Sequence, residues 1–280
     1  MQRSLVGSEM CIRDSYKRID PLLGNEEDFK TLCSEASKRG MRVVLDGVFN
    51  HTGSNSRYFN AEGFYPELGA AQSQDSLYFD WYSFHPWPTD YDAWWGVRTL
   101  PAVNEEAPTY RDFIVRSQDS VVRHWLRQGA DGWRLDVADE LPTAFLEAFA
   151  AAMRACKPDC ILLGETWGDA GRLVSANRLD SAMNYLFRDA AAAWLAKDAL
   201  SASEFGCRLN RALALYPSET NLRMYNLLDS HDTARFLYEA GGDKARLRLA
   251  VAMQMTFPGS PAIFYGDEIG LSLSLIHISE

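Results

Sequence analysis

Three short hydrophobic runs in this chain each end abruptly in a carboxylate: GWRLD at Asp136, CILLGE at Glu165 and NLLDSHD at Asp232. A strand buried on both faces of a parallel sheet reads as a continuous apolar run, and the polar groups that follow it stand at the mouth of the sheet. Helical patterns lie between the runs. Asp136 to Glu165 is 29 residues, one strand–helix repeat, and Glu165 to Asp232 is 67, about two. Asp232 to Asp267 is 35, and Asp46 to Asp136 is 90, one repeat plus a long excursion. Alternation at this pitch calls for a parallel sheet, closed or open.

Local signals place the elements. Asn25 caps a helix to Arg39, with Glu26, Glu27 and Asp28 at its positive end and Gly40 as its stop. Val43, Val44 and Leu45 read as a buried strand that exits through Asp46. From Thr52 to Glu106 the chain is rich in Gly, Ser, Asn, Pro, Tyr and Trp and lacks periodicity, which predicts an inserted subdomain. Pro108 opens a helix expected to run to Gln128, closed by Gly129. Then come the strand GWRLD, a helix from Pro142 to Cys156, the strand CILLGE and a weaker strand within Leu179–Phe187. More helix, broken at Pro217, leads to the strand MYNLLDSHD, a helix from Asp243 to Thr256 and the strand in PAIFYGDE.

The predicted class is therefore α/β: an incomplete (β/α)8 barrel of about six of its eight strands, with the subdomain 52–106 inserted after the first visible strand. The barrel is expected over 16–271. Residues 1–15 and 272–280 show no periodicity and resemble translated sequencing adapter, so they stay out of fold reasoning. The two further strands are expected ahead of residue 16.

Composition narrows the function. Net charge is −10, from 28 basic and 38 acidic residues with no basic run, which argues against nucleic acid or an anionic membrane as partner. No apolar stretch reaches the roughly 18–20 residues that span a bilayer. Eight Trp in 280 residues suit either a packed core or the flat faces on which sugar rings stack. Five Cys without paired C-x-x-C spacing read as reduced thiols, and no signal peptide is visible, so a cytoplasmic location is expected. A secreted parent protein stays open.

Carboxyl groups gathered at one mouth suit glycoside hydrolysis. The retaining form needs two of them about 5 Å apart, one nucleophilic and one protonated. Arg134 precedes Asp136 by two, so in a strand both face the same way, and the guanidinium is expected to keep Asp136 ionised. Glu165 follows Ile161, Leu162 and Leu163, an apolar surround expected to hold its proton. His231 and Asp232 suit sugar hydroxyls and a cationic transition state. Asp46, Asn50 and His51 form a fourth polar cluster. No H-x-H or H-E-x-x-H occurs, so a catalytic transition metal is not expected, and no cofactor is needed for the chemistry. Structural calcium on oxygen donors such as Asn50 stays open.

These segments together resemble the α-amylase family, glycoside hydrolase family 13. Asp46-Gly-Val-Phe-Asn50-His51, Gly132-Trp-Arg134-Leu-Asp136, Gly164-Glu165-Thr-Trp167 and Ser230-His231-Asp232 look like its four motifs in order. Gly259-Ser-Pro-Ala-Ile-Phe-Tyr-Gly266-Asp-Glu268 looks like the segment on its last barrel strand, and Leu100-Pro101-Ala-Val-Asn104 falls where the family has a motif late in its long loop. The likeness implies that Asp136 is the nucleophile, Glu165 the general acid/base and Asp232 the transition-state stabiliser. It implies that Arg134 orients Asp136, that His51 and His231 bind the sugar at the cleaved position, and that Asp46 and Asn50 are mainly structural. Trp167 and Glu140 are further substrate-binding candidates.

RLDVADE, with Glu140 four residues after Asp136, resembles neopullulanases and cyclomaltodextrinases. Leu100-Pro-Ala-Val departs from the Met-Pro-Lys-Leu of that subgroup and leaves amylopullulanase-like enzymes open. The match begins after Ser15, where the family has Asp, and lacks the first two barrel strands, the last helix and the C-terminal β-domain. The expected substrates are α-1,4- and α-1,6-linked glucans or maltooligosaccharides. A glucan transferase or isomerase, or a non-catalytic interaction protein on the same fold, are the rival readings. The parent protein is expected to dimerise as subgroup members do, and this chain to be poorly active or unstable alone.

Overall fold

The computed structural model describes residues 15–272, so the expectations for 1–15 and 272–280 fall outside it except at Ser15 and Ser272. Two compact units divide at Leu163 and Gly164.

In the N-terminal unit, helix α1 (Glu26–Lys38) starts where the sequence predicts. Asn25 Oδ1 accepts the N–H groups of Glu27 and Asp28, and the Asp28 carboxylate accepts the N–H of Asn25. This reciprocal cap satisfies donors that the first turn leaves open. Strand β1 (Val44–Gly47) runs parallel to β2 (Gly132–Leu135), with Val44 opposite Gly132 and Asp46 opposite Arg134. Strand β3 starts at Ile161, whose N–H donates to Asp131 O at 2.9 Å beside β2. A side chain at Gly132 would collide with the Ile161 backbone, so the close approach of β3 needs glycine there.

Strand β1 is not the buried strand the apolar run predicts. Val44 is 37% exposed, because among the described residues β1 ends the sheet and pairs with β2 alone. Beside it opens a groove of about 670 Å³ lined by Phe29, Leu32, Leu45, Trp125 and Trp133 among others.

The segment 52–106 is irregular, with 3₁₀ turns at Phe79–Trp81 and Trp94–Gly96. Aromatic rings build its core: Tyr58 tilts on Trp81 at 5.2 Å, and Phe59 meets Tyr82 and Tyr91 edge to face. The helix predicted from Pro108 to Gln128 is interrupted. Helix α2 (Pro108–Arg111) passes into a π-turn (Asp112–Arg116), and a break at Ser117–Ser120 separates it from α3 (Val121–Arg127). Ser117 and Ser120 take extended ψ values of 153° and 155°, so the chain leaves the helix in the polar SQDS stretch. Helix α4 (Thr143–Cys156) buries Phe145, Leu146, Phe149 and Met153, one face at helical spacing. Phe49 packs against Phe149 at 5.3 Å and Trp133 at 5.7 Å.

The C-terminal unit begins at Gly164, the last residue of β3, whose carbonyl accepts the N–H of Met183 at 2.9 Å. Strand β4 is only Ser181–Ala182. The longer strand expected toward Phe187 stops because Asn184 caps helix α5 (Tyr185–Ala191), accepting the Phe187 N–H. A π-turn (Ala192–Ala196), α6 (Ala202–Ala214) and α7 (Ser218–Asn221) follow, with Pro217 at the break as predicted. Strand β5 (Tyr225–Leu227) pairs in parallel with β6 (Ser260–Ala262), and Asn184 N–H donates to Tyr225 O. Between them lie α8 (Phe236–Glu239) and α9 (Lys244–Thr256).

Buried amides tie these strands together. Asn226 accepts from Asn184 Nδ2 at 2.8 Å and donates to Pro258 O, while Gln254 donates to the carbonyls of Asn226 and Ala262. These buried bonds fix register because a slipped strand would orphan them. The apolar core here is Phe187, Leu195, Leu228, Phe236, Leu237 and Leu247.

Candidate active site

In the N-terminal unit the predicted residues cluster at the ends of β1 and β2. Parallel register sets Asp46 beside Arg134, and the two-residue period sends Arg134 and Asp136 the same way. Arg134 Nη1 donates to Asp46 Oδ1 and Oδ2 at 2.8 and 3.0 Å and to Asp136 Oδ1 at 2.6 Å. One guanidinium nitrogen thus bridges two carboxylates. Asp136 N–H also donates to Gly47 O, and Val137 follows at φ +39°. That left-handed backbone is strained for a β-branched residue, and it turns the chain sharply after Asp136.

Asn50, His51 and Glu140 form a second group in this unit. His51 is buried, its ring Nδ1 lies 3.2 Å from Asn50 Oδ1, and it stacks on Trp94 at 4.7 Å. Burial pushes its pKa down to about 4, so the ring is neutral near pH 7. Glu140 accepts from the indoles of Trp94 and Trp95 at 3.0 Å each and from Asn50 Nδ2 at 3.5 Å. Trp95 is 80% exposed and presents an open aromatic face. Sequence reading missed Trp94 and Trp95 because they sit in an aperiodic loop. The signal was a WW pair beside a Gly, with a lone carboxylate far along the chain.

Asn50 Oδ1, the oxygen a calcium ion would take, is occupied by the His51 ring, and Nδ2 faces Glu140. Among the described residues no three His, Cys, Asp or Glu side chains gather as a metal set.

In the C-terminal unit, Glu165 follows β3 and is 4% exposed. Trp167 Nε1 donates to its Oε1 at 3.2 Å. Trp167 is 46% exposed and stacks on Tyr185, which begins α5. The Tyr185 hydroxyl meets Ser230 Oγ at 3.0 Å, and Ser230 Oγ accepts the Asp232 N–H at 3.2 Å. Asp232 Oδ2 lies 3.2 Å from His231 Nε2. Glu165, Trp167, His231 and Asp232 are thus brought into one unit. Tyr185 and Ser230, which connect them, were not singled out from sequence, since neither spacing nor composition marks a bridging hydroxyl.

Among the described residues no helix is long and apolar enough to cross a membrane. Among the described residues Cys33, Cys156, Cys160 and Cys207 form no disulfide.

Against known proteins, the profile of the α-amylase catalytic domain matches residues 11–277. Neopullulanase 2 of Thermoactinomyces vulgaris is 38% identical over 92% of this chain and 43% of its own length. Cyclomaltodextrinase of Geobacillus thermopakistaniensis is 40% identical over the same shares. Amylopullulanase of Thermoanaerobacter thermohydrosulfuricus is 35% identical over 92% of this chain and 20% of its own. The chain therefore spans less than half the length of these curated relatives. Among solved structures, the Nostoc punctiforme debranching enzyme superimposes with a TM-score of 0.84 at 35% identity, covering 94% of this chain and 59% of its own. Cyclic α-maltosyl-(1→6)-maltose hydrolase from Arthrobacter globiformis gives 0.82 at 34%, covering 93% and 58%. With its motifs, its strand order and these likenesses in agreement, the chain belongs to the α-amylase family, through that family's catalytic domain.

Proposed function

We propose that this chain is the catalytic part of a retaining α-glucan hydrolase that cleaves α-1,4 and α-1,6 glucosidic bonds, built on a (β/α)8 barrel of which six strands are described here, with 52–106 as its inserted subdomain. The observation that carries the reading is the Arg134 clamp on Asp136 at the end of β2. A charge-assisted bond keeps a carboxylate ionised and oriented for attack.

The steps balance as follows. Asp136 attacks the anomeric carbon as the bond to the leaving oxygen breaks, and Glu165 gives its proton to that oxygen. Glu165, now a carboxylate, takes a proton from water. The water oxygen attacks the anomeric carbon, and the ester bond to Asp136 breaks with retention. Asp232 supports the cationic transition state, and His231, a contact of Asp232, binds the same sugar. His51, neutral because it is buried, offers a ring N–H or an acceptor without adding charge. Trp95 and Trp167, both exposed, supply aromatic faces for sugar rings.

The names of the similar proteins, neopullulanase, cyclomaltodextrinase and debranching enzyme, support α-glucans as substrate class. Neither nucleic acid nor membrane is proposed as partner, the location is proposed as cytoplasmic, and the parent protein as a homodimer. The open side of β1 supports the expectation that this chain turns over poorly alone.

Single-turnover trapping tests the reading without needing fast catalysis. A fluorinated maltosyl fluoride should label the purified chain once, on the peptide bearing Asp136, and maltotriose, pullulan or cyclodextrin should release products with the anomeric configuration retained. Label on another residue, or inverted product, would refute it. Saccharide binding without label or product would identify a non-catalytic binder, and transfer to added sugar in place of water a transferase.

A further inference from the structure

The turn from Asp229 to Arg235 carries His231 and Asp232, and a set of buried charges that the proposed chemistry leaves unused lies beneath it. Asp229 is 2% exposed. Its Oδ2 accepts the N–H of Phe236, the first residue of α8, at 2.6 Å. Its Oδ1 is buried and receives no N–H or O–H donor among the described residues. The carboxyl of Asp267, from the segment after β6, faces Asp229 and is itself held by Arg235, which precedes Phe236. Two ionised carboxylates are both acceptors, so a bond between them requires a proton on one.

Charge counting agrees. Arg235 is 1% exposed, lies over Phe264 at 4.0 Å and Tyr265 at 4.8 Å, and donates from Nη1 to Asp267 Oδ1 at 3.2 Å. Its buried Nε has no acceptor among the described residues. The cations packed nearby are committed elsewhere. Arg188 of α5 donates from Nε to Leu228 O, and its two Nη groups pair with Asp189 and with Glu239 of α8, which also pairs with Lys197. Those four charges cancel. Glu268 turns back to accept the Gly266 N–H. One guanidinium therefore faces two carboxyl groups, and a single proton would neutralise the cluster.

We propose that Asp229 and Asp267 share one proton, and that this proton, with Arg235, positions the turn bearing His231 and Asp232. Burial pushes both carboxyls above the ordinary range, and burial followed by the Asp229 charge brings Asp267 to about 7. Asp267 binds its proton more tightly folded than unfolded. The stability it lends is complete below the unfolded value of 3.8 and is lost as pH rises through about 7. Above that point two carboxylates repel under the turn. Asp229 and Asp267 touch no substrate in this scheme. They act as positioning residues, and the proposal stands whether or not the hydrolytic reading does.

The test is carboxyl-carbon NMR of the purified chain labelled at Asp, from pH 5 to 9, with backbone amides followed in parallel. One Asp carboxyl should titrate near 7, about three units above the ordinary value. The amides of Phe236 and Asp232 should move with the same midpoint. Asp267→Asn, which keeps a donor toward Asp229, should abolish that titration and the linked amide shifts while leaving any component due to His231. Asp229→Asn should do the same, and if it does not fold, Asp267→Asn decides alone. Absence of an Asp titrating near neutrality, or persistence of the linked shifts in Asp267→Asn, would overturn the proposal.

Discussion

Trp167 lies flat on Tyr185, ring centroids 3.9 Å apart and planes 15° from parallel, with its indole N–H turned to Glu165. Tyr185 passes the connection on through its hydroxyl to Ser230 and so to the amide of Asp232. Four contacts therefore link the acid/base candidate to the stabiliser candidate inside the C-terminal unit. An indole clamped on one face has little freedom, so its N–H is a fixed donor.

Replacing Trp167 with Phe keeps the stack and removes the donor. A hydrogen bond to a charged group is worth about 1.5–3 kcal/mol, so kcat on maltooligosaccharides should fall about ten- to a hundredfold. Trp167→Ala, which also frees Tyr185, should fall further. Steady-state kinetics of the two variants side by side reads the difference.

Glu165→Gln removes the transferable proton and preserves shape. Turnover of substrates with poor leaving groups should drop about 10²–10⁴-fold, while circular dichroism and the melt stay as in the parent chain. Retained activity would break the assignment of Glu165.

Arg134→Lys replaces the guanidinium whose Nη1 bridges Asp46 and Asp136 with a shorter, more mobile ammonium. Asp136 should lose orientation, and kcat should fall while KM changes little. Asp46→Asn, which leaves the bond to Asp136 in place, should cost less.

The buried His51 predicts an acid limb of stability. Its pKa is about 4 folded against 6.5 in its ordinary state, because burial disfavours the cation. Folded stability is thus complete above about 6.5 and is lost as pH falls toward 4, by up to about 3 kcal/mol. Urea unfolding between pH 4 and 8 should show this slope, and His51→Gln should flatten it. An unchanged slope would assign the acid limb to other groups.

Leu32 of α1 is 57% exposed and lines the apolar groove, and Val44 of β1 is 37% exposed. A free strand edge beside an apolar groove attracts other chains. The purified chain should bind an apolar dye and associate with rising concentration. Val44→Lys with Leu32→Lys should reduce both effects, measured by dye fluorescence and light scattering.

Legibility from sequence followed locality. Asn25, Pro217 and Asp243 marked helix ends because capping and breaking act within a turn. Arg134 and Asp136 could be placed on one face because strand period is local, whereas Asp46 opposite Arg134 depends on register between strands 88 residues apart. The break at Ser117–Ser120 was hidden because hydrophobic spacing continues across it. Strand β4 was overestimated because apolar residues continue through Asn184 into α5. The exposure of β1 could not be read from its own residues, since burial depends on what packs against it.

Glu140 grips two indoles and an asparagine at once. The shape of that wall is thereby delegated to a single codon. Exchange for a shorter or neutral residue would release Trp94 and Trp95 together, without any change in the loop's own sequence.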